Sequence, residues 1–250
     1  MATPTKTTMP MSEGARSVRL RVVSWNIHAC VGTDRRYDPQ RVAEVLADID
    51  ADIIGLQEVD WRRDDFEGAD QFFHIARALD MKPIEGPTLH DHDGRYGNGL
   101  LTRLPVLSAS KLDLAHPRRE PRGAIDAKLE KQGREVRAMV THLGLASRER
   151  RRQIAMIRDA VREKPEGQLR LLMGDMNEWL PRRTAARVLT PDCFESEFGA
   201  RSFPSFFPLF SLDRIFADPA PSAAEVRAER TAKARLASDH LPIVADLEWG

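Results

Sequence analysis

The chain has 250 residues, 42% hydrophobic and 30% charged, with Lys+Arg and Asp+Glu both at 38 and a formal net charge of zero. This length suits one large domain with a substantial core, and the neutrality argues against a protein built to grip nucleic acid nonspecifically. Cys30 and Cys193 are the only cysteines, which excludes a disulfide framework and a zinc-type cysteine cluster, and no apolar run reaches membrane-spanning length.

Residues 1–17 read as a disordered start: they are polar, rich in Thr and Pro, and show no secretory leader, so the expected compartment is the cytoplasm. A single domain is expected over residues 18–250. Residues 18–27 alternate as a strand, with Trp25 and Ile27 on one face and Ser24, Asn26 and His28 on the other. Asp38-Pro39 opens a helix with a capping Asp and a first-turn Pro, and its inner stripe is Val42, Val45, Leu46 and Ile49. A short apolar strand, 52–56, ends at Gln57-Glu58. A helix near 70–79 presents Phe72, Ile75, Ala76 and Leu79.

Residues 99–103 read as a strand closed by Leu104-Pro105. Strands at 123–130 and 135–142 flank Lys131-Gln132-Gly133-Arg134 as a hairpin. Ser147 begins a basic helix with Ile154, Ile157 and Val161 inside. A buried strand at 169–173 leads into Gly174-Asp175, a short helix follows Pro181, and 212–216 and 241–247 are the last strands. Residues 219–233 read as a weakly patterned connection. Alternating strands and helices followed by hairpins point to an α/β fold with partly antiparallel sheets.

The chemistry gathers at strand ends. Ser24-Trp25-Asn26, Leu56-Gln57-Glu58, Thr141-His142-Leu143, Gly174-Asp175-Met176-Asn177, Leu212-Asp213-Arg214 and Ser238-Asp239-His240 each follow or end an apolar run. Carboxylates, amides and imidazoles delivered to one cleft suit a hard cation and a phosphate better than a nucleophilic serine or thiol. Glu58 is a candidate ligand for Mg²⁺ or Mn²⁺; the plain alternative is a surface carboxylate. Asn26 could hold a metal-bound water or a phosphate oxygen, or simply bond its own turn. Asp175 and Asn177 face the same side if the chain stays extended, and could activate and align a water; otherwise they form a turn capping the next helix. Asp213 could accept from His240 and fix its tautomer, and His142 is a second imidazole. Arg122 could clamp a phosphate oxygen, and Asn98, in Tyr96-Gly97-Asn98-Gly99, is a candidate substrate contact.

Other features read as ordinary structure. His28, His74, His90, His92 and His116 are assigned no function, and His90-Asp91-His92-Asp93 reads as a solvated loop. The aromatic run Phe203-Pro204-Ser205-Phe206-Phe207-Pro208-Leu209-Phe210 reads as core packing, with an apolar wall for a lipid or base as the alternative.

In this order, from Ser24 to Leu247, Ser-Trp-Asn-Ile, Leu-Gln-Glu-Val, Gly-Asp-Met-Asn, Leu-Asp-Arg-Ile and Ser-Asp-His-Leu-Pro-Ile resemble the motifs of the endonuclease/exonuclease/phosphatase superfamily, and the chain is similar to its small bacterial members. The resemblance implies a four-layer α/β/β/α sandwich, two mixed sheets face to face with helices outside. It implies Glu58 as the principal ligand of Mg²⁺ or Mn²⁺, with Asn26 and Asp239 as metal or phosphate-site residues. Asp175 and Asn177 would position water, Asp213 would orient His240, His142 would be a second catalytic histidine and Arg122 a phosphate contact. The reaction implied is in-line attack of water on a phosphodiester, with no covalent intermediate. The expected substrate is a lipid headgroup or small phosphodiester and the expected state a monomer. A Mg²⁺-dependent DNA or RNA nuclease is the rival, and a catalytically silent binding module the rival from another class.

Overall fold

The computed structural model describes residues 17–62, 70–91, 94–163, 165–179, 184–190 and 193–250. In chain order the strands are β1 (Val18–Asn26), β2 (Ile53–Asp60), β3 (Lys82–Asp91), β4 (Gly94–Thr102), β5 (Val106–Asp113), β6 (Gly123–Lys131), β7 (Arg134–His142), β8 (Leu169–Asp175), β9 (Ser196–Phe198), β10 (Asp213–Asp218), β11 (Ala223–Ala228) and β12 (Ile243–Trp249). The helices are α1 (Pro39–Ile49), α2 (Gln71–Ala78), α3 (Ser147–Ala160), α4 (Thr184–Leu189) and α5 (Ala232–Ala237). The strands form two six-stranded sheets, ordered β11-β12-β1-β2-β4-β3 and β5-β6-β7-β8-β10-β9. Only β1–β2 and β7–β8 pair in parallel, so both sheets are mixed.

Side-chain alternation along the strands builds the layers. Val18, Leu20 and Val22 of β1 point between the sheets, against Val140, Met173 and Ile215 of the opposite sheet. Val23 and Trp25 point the other way, into a core closed by α1 and α2, where Val42, Leu46, Phe72 and Ile75 are buried. On the far side Ile154 and Ile157 of α3 cover Leu172 and Phe216. The result is the four-layer α/β/β/α sandwich, with hydrophobic burial driving all three interfaces. The helix starts follow the expected caps: Asp38 accepts from Arg41 N at 2.9 Å, and Asp70 from Phe72 N and Phe73 N at 2.9 and 3.0 Å.

The eight strands legible in the sequence are the interior ones. The four it did not show, β3, β5, β9 and β11, are the four sheet edges. An edge strand has few apolar neighbours to demand alternation. β3 carries Pro83, Gly86 and Pro87, tolerable where one side of the ladder is unpaired, and much of β5 is exposed. Both β11 and α5 fall in or against the stretch read as a weakly patterned connection. His92, Asp93 and Pro181 lie outside the described residues.

One close approach fixes the geometry of the site. Gly174 pairs with Thr141 across β7 and β8, and a Cβ on it would stand 1.9 Å from Thr141 O. The backbone must therefore shift if any side chain is added. Gly174→Ala should destabilise the protein by about 1–3 kcal/mol, the usual cost of overpacking. Urea denaturation checks this; an unchanged midpoint would show that β7 and β8 can separate without penalty.

Candidate active site

Strand register assembles the site. In the second sheet His142 lies opposite Asp175, and Asp175 opposite Asp213, so β7, β8 and β10 set three polar groups in one row at the sheet end. In the first sheet β1 ends at Asn26, and Glu58 lies within a bulge of β2 between Leu56 and Val59. Glu58 has φ 58° and Asn177 φ 51°, left-handed values that cost a non-glycine residue about 1–3 kcal/mol and recur at functional sites.

Asp175 is the hub. Its Oδ2 lies 3.3 Å from Asn26 Nδ2, 3.6 Å from His142 Nε2 and 3.8 Å from His240 Nε2. Its Oδ1 accepts from Asn177 N at 2.8 Å. The turn weighed from the sequence is thus present, but residues 176–179 are not helical, so among the described residues the turn caps no helix and instead folds Asn177 back beside Asp175. The extended arrangement expected for 175–177 is replaced by this left-handed turn. Asn177 donates through Nδ2 to Leu143 O at 2.8 Å and contacts His142 Nε2 at 3.0 Å. Nδ2 of Asn177 thus stands between the His142 ring and the Leu143 carbonyl.

The two imidazoles are driven to opposite charge states. His240 is buried, which disfavours its cation, but Asp213 accepts from Nδ1 at 2.9 Å and Asp175 faces the other nitrogen. Together they lift its pKa to about 10. Asp213 is itself held by Ser202 Oγ at 2.5 Å. For His142, burial and the neighbouring charges of Arg122 and His240 all push the pKa well below the ordinary histidine value. A neutral ring accepts at one nitrogen only. His142 therefore accepts either from Arg122 Nη1, 3.2 Å from Nδ1, or from Asn177, and the other nitrogen keeps a proton that it can offer to a phosphate oxygen. Burial, with the charge of Asp213, raises Asp175 to about 6, so it is largely ionised at neutral pH yet basic enough to take a proton.

Of the remaining predicted residues, Asn26, Arg122 and Asn98 are buried and Asp239 is partly exposed. Asn26 Nδ2 donates to Glu58 Oε1 at 2.8 Å as well as to Asp175, tying the two sheets together, while its Oδ1 accepts from His28 N at 3.0 Å. Asn26 thus turns its oxygen to the His28 backbone and bridges two carboxylates through its N–H groups. Arg122 is buried, reaching His142 and, at 3.1 Å, Glu120. Asn98 Nδ2 donates to Gly123 O at 3.0 Å, bracing the strand behind Arg122. Asp239, with a side chain 40% exposed, stands 4.0 Å from Nδ1 of His28, a residue assigned no function from its sequence context.

A divalent cation fits part of this donor set. Glu58 and Asp239 offer anionic oxygens at an open mouth, the hard donors Mg²⁺ or Mn²⁺ prefer. Asp175, Asp213 and His240 also bring ligand atoms within 4.8 Å of one another. There, however, Nδ1 of His240 is bonded to Asp213 and the ring is held as a cation, which suits proton handling rather than a metal clamp. Asn98 Oδ1 and Arg122 Nε are buried without a partner, the mark of a site prepared for a polar ligand or water.

Three residues here escaped sequence reading. Tyr96 hydrogen-bonds Glu58, and burial, then the charge of Glu58, raises its pKa. Ser202 carries no motif, and its link to Asp213 exists only through tertiary contact. Trp179 packs against Phe203 and Phe210 with ring centroids 5.3 Å apart in both cases. The aromatic run 203–210 is not core, correcting the first reading: Phe206 and Phe207 are 72% and 63% exposed.

Activating water at a phosphate needs a proton acceptor and positive charge beside it, and both stand here at the mouth of a two-sheet sandwich. The class this architecture defines is the DNase I-like fold. The chain belongs to the endonuclease/exonuclease/phosphatase family, whose model matches residues 23–240. It is 28% identical to the uncharacterized protein YbhP of Escherichia coli (strain K12) over 254 residues, covering 95% of this chain and 99% of that protein. Among solved structures, the endonuclease/exonuclease/phosphatase from Bacteroides vulgatus superposes with TM-score 0.74 at 23% identity, covering 93% of this chain and 100% of the other. The mannosyl-6-phosphatase of Bacteroides thetaiotaomicron VPI-5482 does so with TM-score 0.71 at 17% identity, covering 91% and 99%. At these identities the two structures speak for the fold alone.

Proposed function

We propose that the protein hydrolyses a phosphodiester bond by in-line attack of water, using Mg²⁺ or Mn²⁺, on a lipid headgroup or a small phosphodiester. The observation that carries this reading is the convergence of Asn26, His142 and His240 on Asp175 Oδ2 at 3.3, 3.6 and 3.8 Å. Asp175 takes the proton from the attacking water. The His240 imidazolium, braced by Asp213, places positive charge and an N–H beside the phosphorus, where negative charge grows in the transition state. His142 offers its remaining N–H to a nonbridging oxygen, and Arg122 holds His142 in place while adding positive charge. Glu58 and Asp239 would hold the cation, which when bound polarises the phosphate. Tyr96 and Asn26 fix the Glu58 carboxylate.

A nuclease is the competing reading, and the zero net charge disfavours it, because affinity for a polyanion rests on cationic contacts. A silent binding module would not need Asp175 buried against two imidazoles of opposite charge state. No helix among the described residues is long and apolar enough to cross a membrane.

Hydrolysis of bis-p-nitrophenyl phosphate tests the reading. Activity should require added Mg²⁺ or Mn²⁺ and cease with EDTA. Glu58→Gln should demand a metal concentration on the order of tenfold higher or more, since a neutral amide replaces an anionic oxygen while keeping its shape. Full activity of that variant at the wild-type metal concentration would remove Glu58 from the metal site.

A further inference from the structure

Next to His240 the protein displays apolar carbon that its core does not need. Phe206, Phe207 and Leu209 are 72%, 63% and 50% exposed, and Trp179 and Phe210 are 41% and 38% exposed. These residues are continuous with the catalytic centre. The Phe203 ring lies 4.8 Å from the His240 ring, and Trp179 packs edge-on against both Phe203 and Phe210. Exposure runs from half-buried Phe203, beside His240, to the protruding pair Phe206 and Phe207.

The loop is braced. Phe203 N donates to Phe210 O at 3.1 Å, and Phe210 N returns the bond to Phe203 O at 2.9 Å. Ser205 N donates to Asp239 O at 2.7 Å and Leu241 N to Ser202 O at 2.9 Å, so the loop is bonded on both sides of His240. Arg235 secures the tip by donating to Ser205 O and Phe206 O at 2.9 and 3.0 Å. A rigid apolar surface of this kind loses little conformational entropy when covered.

Charge decides what covers it. Residues 202–211 include no charged side chain; of the cations flanking them among the described residues, Arg235 is engaged with backbone carbonyls and Arg201 is exposed at the start of the loop. Surfaces that stack nucleobases pair their aromatics with a cationic groove for the following phosphates. Here a second phosphate would lie against uncharged carbon, so the complementary occupant is a neutral hydrocarbon substituent. An apolar wall beside a polar centre also matches an interface, where carbon enters the lipid layer while the headgroup stays wet.

We propose that Trp179, Phe203 and Phe210 form a subsite for the hydrocarbon portion of a lipid phosphodiester, and that Phe206, Phe207 and Leu209 enter the apolar layer of the lipid assembly presenting it. This rests on the phosphodiesterase reading above and narrows its substrate to a lipid.

The test compares p-nitrophenyl methyl phosphate with micellar p-nitrophenyl dodecyl phosphate, which differ in the alkyl group, and adds co-sedimentation with phosphatidylcholine vesicles. The variant is Phe206→Ala/Phe207→Ala, whose altered side chains are exposed and outside the catalytic machinery. The wild type should prefer the dodecyl ester and sediment with vesicles. The variant should keep its kcat/KM on the methyl ester, lose the dodecyl preference through KM, and lose vesicle binding by about tenfold or more. Equal kcat/KM on both esters in the wild type would overturn the lipid subsite; a preference that survives in the variant, or no vesicle binding by the wild type, would overturn the entry of Phe206 and Phe207 into the lipid layer; each would leave the phosphodiesterase reading standing. Hydrolysis of neither ester with Mg²⁺ or Mn²⁺ would instead sink the phosphodiesterase reading, and vesicle binding would then judge the wall alone. A single-stranded oligonucleotide whose binding falls in the variant would mark the wall as a base-stacking surface and overturn the proposal.

Discussion

Asp175→Asn should lower kcat on a phosphodiester by on the order of 10²–10⁴-fold, with KM changed by about threefold at most, because the lost group acts as base only in the transition state. The substitution is nearly isosteric. Its retained amide oxygen can still accept from Asn177 N, so the left-handed turn should survive. What disappears is the anionic oxygen facing Asn26, His142 and His240. Removing a charge already disfavoured by burial should not weaken the fold, and a thermal melt should show a midpoint at or above that of the wild type. Near-normal turnover in a correctly folded variant would return Asp175 to a structural role.

His240 and Asp213 should behave as one unit. Asp213 is fully buried, and with Asp175 it offsets the desolvation of the imidazolium. Without that carboxylate, burial prevails and the ring becomes neutral, so Asp213→Asn removes the positive charge facing the phosphate even though His240 remains. His240→Ala removes the charge directly. Each single variant should lose on the order of 10²-fold or more in kcat, and the double variant little beyond the worse single one. Breaking a buried charge pair costs about 3–5 kcal/mol, so circular dichroism must accompany the kinetics. Strictly multiplicative losses in folded variants would show that the two residues act independently and would remove the pair from the mechanism.

Glu58, Asp175, Asp213, Asp239 and His240 were legible as candidates because each adjoins a buried apolar run. Their roles were less legible. Asn26 reads the same in sequence whether its oxygen or its nitrogen faces the cleft, and only the partner positions of His28 N, Glu58 and Asp175 decide. Asn177 was placed correctly beside Asp175, but by a turn of positive φ rather than an extended chain. Tyr96 and Ser202 reach Glu58 and Asp213 across loops that no local pattern connects.

The sequence by itself determined the eight interior strands, the faces of α1, α2 and α3, and the caps Asp38 and Asp70, because burial and unsatisfied backbone groups impose local periodicity and local chemistry. Only the tertiary structure decided the four edge strands, whose residues face solvent and obey no strong alternation. It alone decided the opposite charge states of His142 and His240, since a pKa is set by neighbours distant in sequence and by depth from water. It also turned the aromatic run outward: a string of phenylalanines states how much carbon there is to bury, and only the packed sandwich shows that Phe206 and Phe207 are left outside it.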